Sequence, residues 1–197
     1  MRKVDSLLLE SQRMNPVSLT SIHRRIVARN GIRLSTGHVI PHDTSIGFLH
    51  PFAPFSTPPP TLASFPAAQK QPPLTDFYPF RFSEQRDAPG EEGLHQFTQT
   101  GRENINFGHG PDACPGRWFA SAELKAIMVE LIMRYDFALG PNGEGETQSG
   151  SLLTSGAPLK RPQSIVMPGS LQYMPNPGAA VYFKDRKQGV GPRNLHQ

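Results

Sequence analysis

Apolar positions recur along this chain with two different periods. Val4, Leu7, Leu8 and Met14 follow helical spacing and Asn15-Pro16 supplies a stop, so a helix is expected from the first residues to Met14. A longer helical pattern runs through Leu124, Ile127, Met128, Leu131, Ile132 and Tyr135, with Glu123, Lys125, Glu130 and Arg134 interspersed. It predicts an amphipathic helix from about Trp118 to Tyr135, ended by Leu139-Gly140-Pro141-Asn142-Gly143. Elsewhere the period shortens to alternation. Ile32 and Leu34, the turn Ser35-Thr36-Gly37 and then Val39-Ile40 predict two short strands, and Ile46 and Phe48 continue the extension. Ser164–Met167 and Ala180–Phe183 predict a closing strand pair.

Two stretches have no period. Residues 49–75 hold eight prolines and are expected to be polyproline-like or irregular, while residues 140–162 form a Gly/Ser-rich loop. Order is expected to return at Asp76–Phe82. There are no internal repeats. The chain therefore divides into a helix and hairpin segment (1–48), a proline-rich insertion (49–75) and a remainder (76–197), together making one domain.

Composition agrees with this mixture. Apolar residues make up 37%, while Gly 18 and Pro 21 of 197 residues leave much of the chain irregular. The net charge of +4 is spread over Arg24, Arg25 and Arg29 early and Lys184, Arg186 and Lys187 late. Without a Lys/Arg run interleaved with aromatics, nucleic-acid binding is set aside, whereas a basic face that docks an acidic protein partner fits. One cysteine excludes an internal disulfide. No apolar run reaches the ~18 residues of a membrane span, and no signal-peptide core opens the chain.

That cysteine, Cys114, lies in FGHGPDACPGRWFA, residues 107–120. A lone cysteine is usually a small buried hydrophobe. A zinc site needs about four Cys/His ligands, and no second cysteine exists. A nucleophile needs a His base, and nothing beside Cys114 has such a setting. A single thiolate ligand to a heme iron needs one cysteine and a particular backbone, which these residues offer. The helix expected just downstream directs its N-terminal dipole toward the sulfur. Gly110 and Gly116 remove side chains where backbone would press on a flat macrocycle, Pro115 fixes the turn, and Phe107 packs beside the sulfur.

The segment resembles the heme-binding loop of cytochrome P-450 monooxygenases, F-x-x-G-x-x-x-C-x-G with R-x-x-A following, at Phe107, Gly110, Cys114, Gly116, Arg117 and Ala120. Six positions at about one in twenty each coincide by chance roughly once in tens of millions of starting points. Glu10-Ser11-Gln12-Arg13 resembles the family's K-helix E-x-x-R, although such a pair alone is usually a solvated surface pair. Phe77–Phe82 resembles the segment whose arginine, here Arg81, joins that Glu and Arg in an ion-pair network.

The resemblance implies an α+β, mainly α fold. It covers the C-terminal part of the cytochrome P-450 architecture: K helix, small β-sheet, Cys heme loop, L helix and C-terminal β-hairpin. It implies heme b held by Phe107, Gly110, Cys114, Gly116 and Arg25, with Cys114 on the iron and with Glu10, Arg13 and Arg81 as a structural network. It also implies oxidation of a lipophilic small molecule of fungal secondary metabolism with O2, using electrons from an NADPH-cytochrome reductase. Val17–His23 and Tyr173–Gly178 correspond to substrate-facing regions. Full-length relatives sit on the endoplasmic reticulum membrane, so a chain without their anchor is expected to be cytoplasmic or peripheral to that membrane.

Three departures qualify the expectation. The relatives' anchor and I helix have no counterpart ahead of Met1, which points to a truncated gene or a gene model missing upstream exons. On that account this chain alone is expected not to turn over, and the alternative is an inactive remnant or a proline-rich interaction module. Residues 49–75 match neither the strand nor the short helix of relatives and read as a translated intron or a local frameshift that returns to register near Asp76. Asp112 stands where relatives carry Arg or His for a heme propionate, and Arg24 or Arg25 is expected to compensate; His109 is expected to be solvent-exposed.

Overall fold

A computed structural model describes residues 1–50, 71–139, 164–167, 171–179 and 181–186. Most of the proline-rich stretch (51–70) and the Gly/Ser-rich loop (140–163) lie outside the described residues. The chain forms two compact units. One is Met1–Ser121 with Val166–Tyr173, the other Ala122–Ile165 with Met174–Gln197.

In the first unit, helix α1 (Arg2–Met14) packs on the short helix α2 (Arg81–Gln85). Leu9, Phe82 and Phe97 form the core between them, and Leu8 and Phe107 pack against it. The apolar pattern does not select the buried face of α1. Its buried residues are Asp5, Ser6, Leu9, Glu10 and Arg13, a mostly polar stripe at helical spacing. Burial of polar groups is tolerable only when each is bonded, and here they are. Ser6 Oγ accepts the backbone N–H groups of Phe82 and Ser83, both at 3.1 Å. Asp5 accepts the N–H of Phe97 at 3.2 Å and pairs with Arg86 at 3.3 Å.

Strand β1 (Thr20–Arg25) pairs antiparallel with β4 (Ser45–Leu49), with a register shift between Ser21 and Arg24 where Ile22 takes φ 52°. The sequence pattern does not disclose β1, because TSIHRR does not alternate. It is fixed instead by β4 and by its buried flanks Leu19 and Ile26. Strands β2 (Ile32–Arg33) and β3 (Val39–Ile40) form the expected hairpin. Gly31 enters it at φ +71°, and a Cβ there would lie 2.3 Å from the Ile40 carbonyl oxygen, so only glycine fits.

Helix α3 (Arg117–Arg134) matches the predicted long helix, except that Tyr135 already begins strand β5 (Tyr135–Leu139). Only Ser121 of this helix is buried, and Leu124, Ile127 and Ile132 are exposed. The closing strand pair is corrected. Strand β6 (Ile165–Val166) pairs with β7 (Tyr173–Met174), while β8 (Val181–Asp185) pairs with β5 in a five-residue register from Tyr135↔Asp185 to Leu139↔Val181. The Phe183 ring packs edge-on against Tyr135 and Phe137, a cross-strand aromatic cluster that favours β5 over β6 as partner. Among the described residues no helix is long and apolar enough to cross a membrane.

His50, at the end of β4, is buried and bonded to Asn106, and burial lowers its pKa from 6.5 to about 4. The unfolded chain therefore binds a proton between those values that the folded chain does not. Stability is full above pH 6.5 and falls as pH drops from 6.5 toward 4, by up to about 3 kcal/mol. Urea midpoints measured from pH 7 to pH 4 should show this loss, and His50→Gln should remove most of the slope.

Candidate functional site

The Cys114 loop is anchored at one end and capped by a helix at the other. Phe107 is held edge-on against the core ring of Phe97, with ring centroids 5.3 Å apart. Its carbonyl accepts the Cys114 N–H at 2.7 Å, which closes the loop on itself. Within that closure Gly108 and Gly110 both take φ +71°. A Cβ on Gly108 would sit 3.3 Å from the Asp112 carbonyl oxygen in a conformation L side chains rarely adopt. Gly110–Asp112 then form one 3-10 turn, and helix α3 starts three residues past the cysteine. The Cys114 carbonyl accepts from the Arg117 guanidinium at 2.8 Å, and that guanidinium lies 3.4 Å from the centre of the Trp118 ring.

Cys114 is exposed and borders a cavity of about 270 Å³. Ser21–Arg24 of β1 form one wall, and Phe107, Gly108, His109 and Asp112 form the other. A Cβ on Gly116 would touch the sulfur, 3.9 Å away, so glycine leaves that side of the thiol clear. A larger cavity, about 340 Å³, lies between α1 and residues 94–106, and its walls do not include Cys114.

The structure separates the two arginines considered for the cavity. Arg24 lines it and pairs with Asp112 at 2.5 Å. Arg25 is instead engaged by Asp43 on an exposed surface, which raises its pKa, and it does not reach the cavity wall. His109 is exposed and bonded to Thr100. Within the first unit Leu19 N–H donates to Leu171 O at 2.8 Å and Tyr173 N–H to Val17 O at 3.1 Å, so the start of the Val17–His23 segment is bonded to residues 171 and 173.

Glu10, Arg13 and Arg81 meet in one buried cluster, exposed by 0%, 4% and 1% respectively. Arg13 Nε and Nη2 donate to the two Glu10 oxygens at 2.7 and 2.9 Å, and Arg81 Nε donates at 3.1 Å. The Tyr78 N–H fills a further position on Glu10 at 2.9 Å. The remaining guanidinium groups reach backbone carbonyls: Arg13 those of Leu74 and Asp76, Arg81 those of Pro72, Pro73 and Asp76. The network thus ties α1 to the segment that leads into α2. Ser6 and Asp5 belong to the same polar stripe and were not singled out from sequence. Their spacing with Glu10 and Arg13 on one helix face was the available signal. The Arg24–Asp112 pair, 88 residues apart, was signalled only through the resemblance, which sets both residues beside a heme propionate.

The residues present fit a heme. Among the described residues no group of three His, Cys, Asp or Glu side chains is placed to hold a metal ion. One exposed thiol beside a cavity, with Gly116 leaving one side of the sulfur clear, suits a metal that brings its own macrocyclic donors and needs one protein ligand.

Comparison with known proteins bears on this geometry. The cytochrome P450 family model matches residues 64–162. Cytochrome P450 monooxygenase ascG of Acremonium egyptiacum is 38% identical over 192 residues, covering 96% of this chain and 33% of that protein. Cytochrome P450 monooxygenase gliF of Aspergillus fumigatus is 39% identical over 185 residues, covering 93% of this chain and 31% of that protein. The chain thus spans about a third of the length of the curated relatives it matches. Among solved structures, retinoic acid-bound cyanobacterial CYP120A1 superposes with a TM-score of 0.59 at 18% identity, covering 94% of this chain and 34% of that one. The fold is the C-terminal part of that architecture, α+β with helices dominant.

Proposed function

Because this chain belongs to the cytochrome P450 family, we propose that Cys114 is the thiolate ligand of a heme b iron in a monooxygenase acting on a lipophilic small molecule of fungal secondary metabolism. The Cys114 loop carries this reading: one exposed sulfur between glycines, at the foot of α3 and on the edge of a cavity. When bound, the heme supplies the activation of O2 by which one oxygen atom enters the substrate, with electrons from an NADPH-dependent reductase.

The chain's own residues position that group. Phe107 fixes the start of the loop in the core, and its carbonyl holds the Cys114 N–H, so the sulfur's backbone is set before any ligand arrives. Gly116 leaves room beside the thiol, and Gly110 takes the φ of +71° that the turn ahead of it uses. The first turn of α3, which begins three residues past Cys114, puts a positive dipole end next to the sulfur. Glu10, Arg13 and Arg81 hold the scaffold. The names of the fungal relatives, all cytochrome P450 monooxygenases, support the reaction class.

Trp118 makes the reading measurable. It is the only tryptophan, it is exposed, and it lies four residues past Cys114. Titration with hemin should quench its fluorescence to a sharp endpoint at one equivalent. Quenching without an endpoint would contradict the proposal.

A further inference from the structure

Resting on the heme-thiolate reading, we propose that Asp112 neutralises Arg24, the one Lys or Arg among the described residues lining the Cys114 cavity. The carboxylate edge of a bound iron porphyrin would then meet no uncompensated cation among the described lining residues. Arg24 Nη2 is bonded to Asp112 at 2.5 Å and its Nη1 to the His23 carbonyl at 2.8 Å, so both terminal nitrogens are engaged. The neighbouring guanidinium groups are engaged elsewhere, Arg25 on Asp43 and Arg117 on the Cys114 carbonyl and the Trp118 ring. The two imidazoles on the cavity, His23 and His109, are bonded to Thr20 and Thr100. A porphyrin carboxylate arriving here meets an Arg24 whose charge Asp112 already offsets. It also meets Asp112 itself, a like charge on an exposed rim.

Asp112 is therefore a specificity-determining residue: the site accepts an uncharged porphyrin edge about as well as a charged one. The test compares hemin with hemin dimethyl ester, both titrated against Trp118 fluorescence in the full chain. The unaltered chain should bind the two within about threefold of each other. Asp112→Asn frees Arg24 and should tighten hemin about fivefold, the size of one exposed ion pair, while leaving the ester unchanged. Adding Arg24→Gln to Asp112→Asn should remove most of that gain, leaving only what the loss of the Asp112 like charge contributes. A tenfold preference for hemin in the unaltered chain, or an acid-to-ester ratio that Asp112→Asn does not move, would overturn the proposal while leaving the heme reading intact. Failure of the unaltered chain to bind either porphyrin saturably would remove both.

Discussion

Replacing Glu10 with Ala is expected to leave the chain largely unfolded. Glu10 is fully buried, and its two oxygens accept four hydrogen bonds, three of them from the buried guanidinium groups of Arg13 and Arg81. Removing the carboxylate strands two positive charges in the interior. Breaking a buried ion pair from one side costs about 3–5 kcal/mol. That is comparable with the whole stability of a small domain, about 5–15 kcal/mol. Conversion to Ala also frees the Tyr78 N–H and loosens the carbonyl-rich turn at residues 72–76 that both arginines hold. Far-UV circular dichroism and urea unfolding would register the loss. A midpoint within experimental scatter of the unaltered chain would show that the network contributes little. Glu10→Gln keeps the shape without the charge and should fall between the two.

Substitution at Cys114 is expected to do the reverse, sparing the fold and removing the iron ligand. The side chain is exposed and contributes little packing, so Cys114→Ser should change stability by less than about 0.5 kcal/mol. The loop's closure uses the Cys114 N–H and carbonyl, which the substitution retains. Hemin affinity should nevertheless fall at least about a hundredfold, because loss of an outer partner alone costs a metal site 10–100-fold. Equal affinity in Cys114→Ser and the unaltered chain would place the porphyrin elsewhere.

The two variants separate what sequence could reveal from what only folding reveals. The Cys114 loop is readable because its chemistry is local: glycines, proline, cysteine and helix start all fall within fourteen residues, 107–120. The pairing of Glu10 and Arg13 with Arg81 is readable only through family resemblance, since a Glu and an Arg three apart on a helix ordinarily face water. Periodicity misled in two places for one reason. On α1 the apolar stripe is half-exposed and the polar stripe buried, because bonding to the α2 backbone outweighs hydrophobic sorting there. At the C-terminus, two short apolar runs resembled mutual partners, but strand choice follows long-range packing. Phe183 finds Tyr135 and Phe137 rather than Ile165. The Arg24–Asp112 contact depends on a β1 strand that does not alternate and on the register shift within it.

Binding of heme iron by the Cys114 sulfur as a thiolate is read from the absorption spectrum of the hemin-loaded chain after reduction and addition of carbon monoxide. The unaltered chain should show the strongly red-shifted Soret band of a thiolate–CO heme, and Cys114→Ser should lose it. A Soret band at the position given by a neutral or imidazole ligand, or a red-shifted band that survives Cys114→Ser, would contradict thiolate binding by Cys114.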